Sequence, residues 1–209
     1  RQYHSWFYGP QTILVAEYVI ATGDREVLPD LERLALEIAR GQSEVGSWGH
    51  RFVQTEGRDR GRLAGYGMMN APGIPLLIGL VLAREAGVDH PEVDEAIEKG
   101  ARLVRFYVGK GSVPYGDHAP WIENHDDNGK NGVAAVLFNL LGDAEAVEYF
   151  SRMSVACHGT ERDTGHTGNY FNMLWAMPGV AFSGPEATSA WLDRSEEHTS
   201  ELQSRQYLV

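Results

Sequence analysis

The sequence predicts an all-α fold of the α/α-toroid kind, built from repeated hairpins of one inner and one outer helix. Apolar stretches of helical period follow one another, and no β-rich segment of period two competes with them. These stretches also alternate in kind: one apolar nearly all round, as a helix buried on every side must be, then one with a single apolar stripe. Finally, Gly23, Gly87 and Gly142 recur 64 and 55 residues apart, each placed to end a first helix in the left-handed conformation that glycine adopts readily. Repeated helix pairs of this length mean a solenoid or a closed ring. An inner helix without a polar face favours the ring.

The elements follow in order. PQTILVAEYVIATGD, from Pro10, reads as the first inner helix. LPDLERLALEIARG follows as its outer partner, with Leu31, Leu34, Ala35 and Ile38 at i, i+3, i+4 and i+7. GIPLLIGLVLAREAGVD opens the second pair, and PEVDEAIEKGARLVRFYV completes it with Val93, Ala96, Ile97, Ala101 and Val104 on one face. NGVAAVLFNLLGD and AEAVEYFSRMSVA form the third pair, and GNYFNMLWAMPGV with GPEATSAWL begins a fourth. Residues 1–193 are therefore expected to be a single toroid fragment of about four helix pairs, an incomplete ring.

Residues 194–209 are set apart. RSEEHTSELQS, residues 194–204, matches codon for codon the translation of a common sequencing adapter, and is treated as an artefactual tail. The chain starts at Arg1 without methionine, so the sequence is read as part of a longer protein with further domains, and its compartment stays open. A net charge of −11, with no stripe of Lys and Arg, argues against nucleic acid as a partner. The longest apolar run, GIPLLIGLVLA, is shorter than the roughly 20 residues a membrane span needs. A single cysteine, Cys157, excludes an internal disulfide.

Inner-to-outer turns are short and outer-to-inner connections are long. In alternating hairpins all connections of one kind lie at one end, so the long segments are expected to share a rim. Long, side-chain-rich loops on one rim usually carry function. Six of the seven histidines before the tail (His4, His50, His118, His125, His158 and His166) fall in or beside these segments, and only His90 does not.

In QSEVGSW, Gln42–Trp48, the pattern Gln-x-x-x-Gly-x-Trp resembles the repeat motif of the squalene-cyclase and prenyltransferase α/α-toroid superfamily. That resemblance implies a structural role, the Gln binding backbone groups at a helix end with the Trp packed beside it. NGKNGVAAVLF, GHTGNYFNMLW and GPEAT together resemble an uncharacterised bacterial domain family expected to form such a toroid, one that brings no established activity. The chemistries of characterised relatives leave little trace. NHDD places Asn124 where the acid motif of type-II terpene cyclases has its first Asp. SWFYGP and CHGT are similar to lanthipeptide-cyclase zinc motifs, but Phe7 stands where the first Cys ligand belongs.

Two constellations remain. In YGDHAPWIENHDDNGKNG, His118, His125 and Asp126 are candidate acid/base residues, because a histidine beside a carboxylate is held in one tautomer and works near neutral pH. Trp121, Glu123 and Lys130 are candidate ligand contacts there, while Asp127 and Asn128 are expected to cap the following helix. In DTGHTGNYFNMLW, His166 is a fourth catalytic candidate, with Asn169 and Tyr170 beside it. A His–Tyr–Asn set at a toroid mouth is similar to that of polysaccharide lyases on this fold. Trp48, His50 and Tyr66, with Trp6 and Tyr8, offer stacking walls, although core packing is the commoner fate of such aromatics. The function expected is acid/base chemistry on a carbohydrate or other oligomeric ligand, by a hydrolase or lyase. A peptide- or glycan-binding repeat module without catalysis is the alternative. A zinc enzyme using Cys157 and His158 is a weaker one; otherwise no cofactor is expected.

Overall fold

The computed structural model describes residues 4–117, 119–120, 128–156 and 168–193. Among these residues the regular structure is helical: α1 (His4–Thr22), α2 (Leu28–Arg40), α3 (Asn70–Glu85), α4 (Pro91–Arg105), α5 (Asn128–Leu141), α6 (Ala144–Ala156) and α7 (Gly168–Ala181), with a last helix over 185–193. No helix among them is long and apolar enough to cross a membrane.

The helices form two layers. α1, α3, α5 and α7 pack side by side in chain order, and α2, α4 and α6 lie against their backs. α3 meets the expectation for an inner helix: every residue from Asn70 to Ala83 is buried. It has α1 on one side, α5 on the other, and α2 and α4 behind it. α2 buries the predicted stripe of Leu31, Leu34, Ala35 and Ile38. α4 buries Val93, Ala96, Ile97 and Val104, but Gly100 replaces Ala101 in the seam. The reason is space, since a Cβ on Gly100 would lie 2.9 Å from the Leu77 side chain of α3.

Two expectations needed revision. α1 begins at His4, six residues before the predicted start, and carries Pro10 inside it. Its first turn is held by the following long loop: the buried Ser5 hydroxyl donates to the Gly49 carbonyl at 2.6 Å. Nor is α1 buried all round, because Phe7, Leu14, Tyr18 and Ile20 are exposed.

Short turns close the hairpins at one end, and Gly23, Gly87 and Gly142 there have φ of 71°, 107° and 74°, the left-handed caps the spacing predicted. The described long connections gather at the other end, over the starts of the inner helices. Met69 N donates to Trp48 O and Asn70 N to Tyr115 O, which ties the loops 41–69 and 106–117 together at the head of α3. The Gln42–Trp48 motif is structural, but its Gln binds the interior of α4 and a turn rather than a helix end, and Trp48 takes the Ile38 carbonyl near the end of α2. Gln42 Nε2 donates to Ala96 O at 2.9 Å and Gly46 O at 3.2 Å, linking α2's end to α4. Gly46 has φ 90°, and a Cβ there would sit 2.6 Å from Lys99 O, so the motif's glycine is required twice over.

Candidate functional site

The site is built where α1 begins. Ser5 fixes the Gly49–His50 backbone on the helix, and this places His50 beside Trp6. Trp6 Nε1–H donates to His50 Nδ1 at 3.0 Å. Indole nitrogen is a donor only, so Nδ1 must be the accepting nitrogen and the neutral imidazole carries its proton on Nε2. The two rings lie edge to edge, as an in-plane N–H···N bond requires, with centroids 6.4 Å apart and planes 29° apart.

From this pair a line of rings extends both ways along the rim. Phe171 of α7 meets Trp6 edge-on at 6.4 Å. On the other side His50 lies 6.1 Å from Tyr66, and Tyr66 meets Tyr115 edge-on at 6.0 Å. Five rings from two helices and two long loops thus form one continuous strip, and Tyr66 is 50% exposed in it. A second cluster, His4, Phe52 and Tyr8, packs beside it on α1. There the Tyr8 hydroxyl donates to Glu37 of α2. Aromatic faces on a wet rim give a ligand broad contact at little entropic cost, because each ring is already held by its neighbours.

The loop beneath Tyr115 is anchored from below. Buried Asn70 donates from Nδ2 to Pro114 O at 3.0 Å and to the Tyr107 hydroxyl at 3.1 Å. Burial pushes the Tyr107 phenol above its ordinary pKa, against the lowering effect of Asn70, so it remains a neutral hydroxyl. Asn131 of α5 repeats the device, accepting from Val113 N at 3.0 Å and donating to Ser112 Oγ at 3.2 Å.

Under Trp6 and Phe171 the concave inner face opens into a groove of about 530 Å³ between α1, α3 and α7. Its walls are mainly Pro10, Ile13 and Leu14 from α1, Pro72 and Pro75 from α3, and Trp175 from α7. A polar hollow of about 370 Å³ lies elsewhere, between the loop after α2 and α4, and four of its charged residues pair with one another. Arg40 grips Glu92 with two bonds of 2.8 Å, and Lys99 pairs with Glu95 at 2.6 Å.

Of the residues singled out in the sequence, His50 and Tyr66 stand in the aromatic strip. Trp48 does not line a wall: it is 1% exposed in the core and its Nε1–H donates to Ile38 O at 2.8 Å, so its place is in the helix-end motif. Lys130 is likewise no surface contact. It is 0% exposed in the first turn of α5, with its amine 5.9 Å from the Tyr115 ring centre. Asn169 and Tyr170 belong to the first turn of α7. His118, Trp121, Glu123, His125, Asp126, Cys157, His158 and His166 lie outside the described residues. Among the described residues no three His, Cys, Asp or Glu side chains gather as metal ligands would. Tyr115, Phe171 and the groove went unpredicted. The one signal for the groove was the spacing of Trp6, Pro10, Ile13 and Leu14, a stripe along α1 that becomes visible once the helix is known to begin at His4.

No curated protein and no solved structure matches the chain. A family model does match, over residues 1–207, and so runs past residue 193 into the segment set apart above. Its description is "Domain of unknown function (DUF6288)", and the chain belongs to that family.

Proposed function

We propose that the long-loop rim is a carbohydrate-binding surface, on which an extended glycan lies along the strip of Phe171, Trp6, His50, Tyr66 and Tyr115. The continuity of that strip is the observation that carries the reading. Successive rings 6.0–6.4 Å apart, mostly edge-on or tilted to one another, offer apolar surface in series, which suits a repeating ligand better than a compact one. The alternation of inner and outer helices supports reading the array as part of an α/α toroid, with this rim as its mouth.

The catalytic form of the reading assigns proton transfer to His118, His125, Asp126 and His166, and the ligand then becomes the substrate of a lyase or hydrolase. Binding and catalysis separate cleanly by experiment. Calorimetric titration with glycans of increasing length should show affinity rising with length. Tyr66→Ala should weaken binding by up to about tenfold, the scale of one aromatic contact, without lowering the melting temperature. Equal affinity in Tyr66→Ala, or no binding by any glycan in the series, would refute the surface. His125→Ala and His166→Ala should abolish turnover while leaving binding intact; turnover at the unmodified rate in both would remove the catalytic form.

A further inference from the structure

We infer that the glycan recognised at this rim carries an apolar tail, and that the groove beneath Trp6 and Phe171 receives it; the inference rests on the carbohydrate reading of the rim. The two sites are one continuous surface, because Trp6 and Phe171 belong both to the ring strip and to the groove wall. The groove follows α1 from Ser5 to Glu17, and at 1.5 Å of rise per residue this track is about 18 Å long. An extended chain fills such a shape, whereas a single ring does not. The volume of about 530 Å³ lies within the range of small-molecule sites.

The walls say what kind of chain. Pro10, Pro72 and Pro75 have no backbone N–H to offer. The polar atoms of the two α1 residues nearest the rim are already engaged: the Ser5 hydroxyl on Gly49 O and the Trp6 N–H on His50. Pro10 and Pro75 leave the Trp6 and Ala71 carbonyls without their helical partners, but a wall otherwise mostly of carbon returns few of the hydrogen bonds that a further sugar gives up, and that is costly. An alkyl chain loses nothing polar and gains from every methylene it buries. Leu14 and Leu174, 71% and 53% exposed, are large apolar side chains of the wall that such a chain would shield from water. Glu17, exposed at the far end of the α1 track, marks where the groove returns to solvent.

The test is a tryptophan-fluorescence titration of the full chain with methyl β-glucoside, with n-octyl β-glucoside below its micelle-forming concentration, and with 1-octanol. Each buried methylene tightens binding by about fourfold, so octyl glucoside should bind at least about tenfold more tightly than methyl glucoside even if only partly sheltered. Leu14→Glu and Leu174→Glu, both at exposed positions, should erase that gain. Tyr66→Ala should weaken both glucosides alike and leave their ratio unchanged. A ratio near one, or a gain that persists in both leucine variants, overturns the inference while leaving the rim reading intact. If neither glucoside binds but 1-octanol does, in a manner dependent on Leu14, the groove stands as an alkyl site and the carbohydrate reading falls. If none of the three binds, or if Leu14→Glu instead dissolves a dimer seated on this face, the tail inference falls.

Discussion

The inner layer contains two close helix pairs, and they come close in different ways. α1 meets α3 through Gly9 and Gly79. A Cβ on Gly9 would lie 3.1 Å from Leu76 N and the Pro75 carbonyl carbon, and one on Gly79 would lie 3.1 Å from the Cβ of Thr12. α5 meets α7 through Gly129, Gly132 and Gly179. There a Cβ on Gly129 would lie 2.6 Å from the Asn172 Cα, and one on Gly132 would overlap the Trp175 carbonyl. The first pair leaves room of about a Cβ contact, to backbone at Gly9 and to the Thr12 side chain at Gly79; the second is closer, backbone against backbone with no room for a Cβ. Between the pairs, α3 meets α5 less extensively. The layer is therefore two rigid doublets with a looser seam, and the aromatic strip crosses from one doublet to the other through Phe171 and Trp6.

The sharpest way to break this comparison is to fill the second joint. Gly132→Ala gains about 0.5–1 kcal/mol of helix propensity, but the new methyl has no space and the helices must part. Overpacking of this kind costs about 1–3 kcal/mol, and more where backbone must move, so a net loss of about 2 kcal/mol is expected in urea unfolding. Phe171 and Trp175 lie on the face of α7 that would shift, so the same variant should disturb Trp6 fluorescence. An unchanged midpoint would mean the doublet is not seated as described.

Gly79→Ala is the matched change in the first doublet, with a smaller expected effect. Its Cβ would meet the side chain of Thr12 at 3.1 Å, and a few tenths of an ångström of adjustment relieves that contact. Propensity gain and packing cost are then similar, and the net change should stay within about 1 kcal/mol of zero. Equal losses in Gly79→Ala and Gly132→Ala would erase the distinction between the doublets.

Most of this architecture was legible in the sequence, and the exceptions have physical causes. Helix spacing, the glycine caps and the one-sided outer helices follow from local periodicity, which is why the starts of α2, α4 and α6 agree with expectation. Burial all round does not follow from periodicity alone. α1 and α3 are both strongly apolar, yet α3 is enclosed and α1 exposes Leu14 and Ile20, because, of these two, α3 is the one packed between neighbouring inner helices, α1 and α5. The site was harder to read. His50 and Tyr66 could be suspected from the long loop, but their line with Phe171, Trp6 and Tyr115 joins residues far apart in the chain. Trp48 and Lys130 misled because large or charged side chains near a loop look like ligand contacts, and both proved to be buried.

The seam between the doublets carries the smallest effect and the most specific one. Across it, on the outer side, Arg105 at the end of α4 binds Asp143 at 2.6 Å and Glu145 at 2.5 Å, in and just after the turn joining α5 to α6. Asp143 also caps α6, accepting from Ala146 N at 3.1 Å. Burial pushes its carboxyl up, but the Arg105 guanidinium and the amides of Ala146 and Glu145 outweigh that and hold it below the ordinary value of 3.8. A carboxyl depressed in the folded state contributes stability that is fully present above that ordinary value, and loses it as pH falls through the depressed one. These charges are partly exposed and screened, so removing the pair should change stability little near neutral pH. Arg105→Gln should accordingly change the melting temperature little at pH 7 and flatten its fall below about pH 4. High salt should mimic part of that flattening in the unmodified chain, and Gly79→Ala should leave the acid limb unaltered. If Arg105→Gln steepened the acid loss instead, the guanidinium would not be what holds Asp143 ionised, and the outer side of the seam would rest on the α6 cap alone.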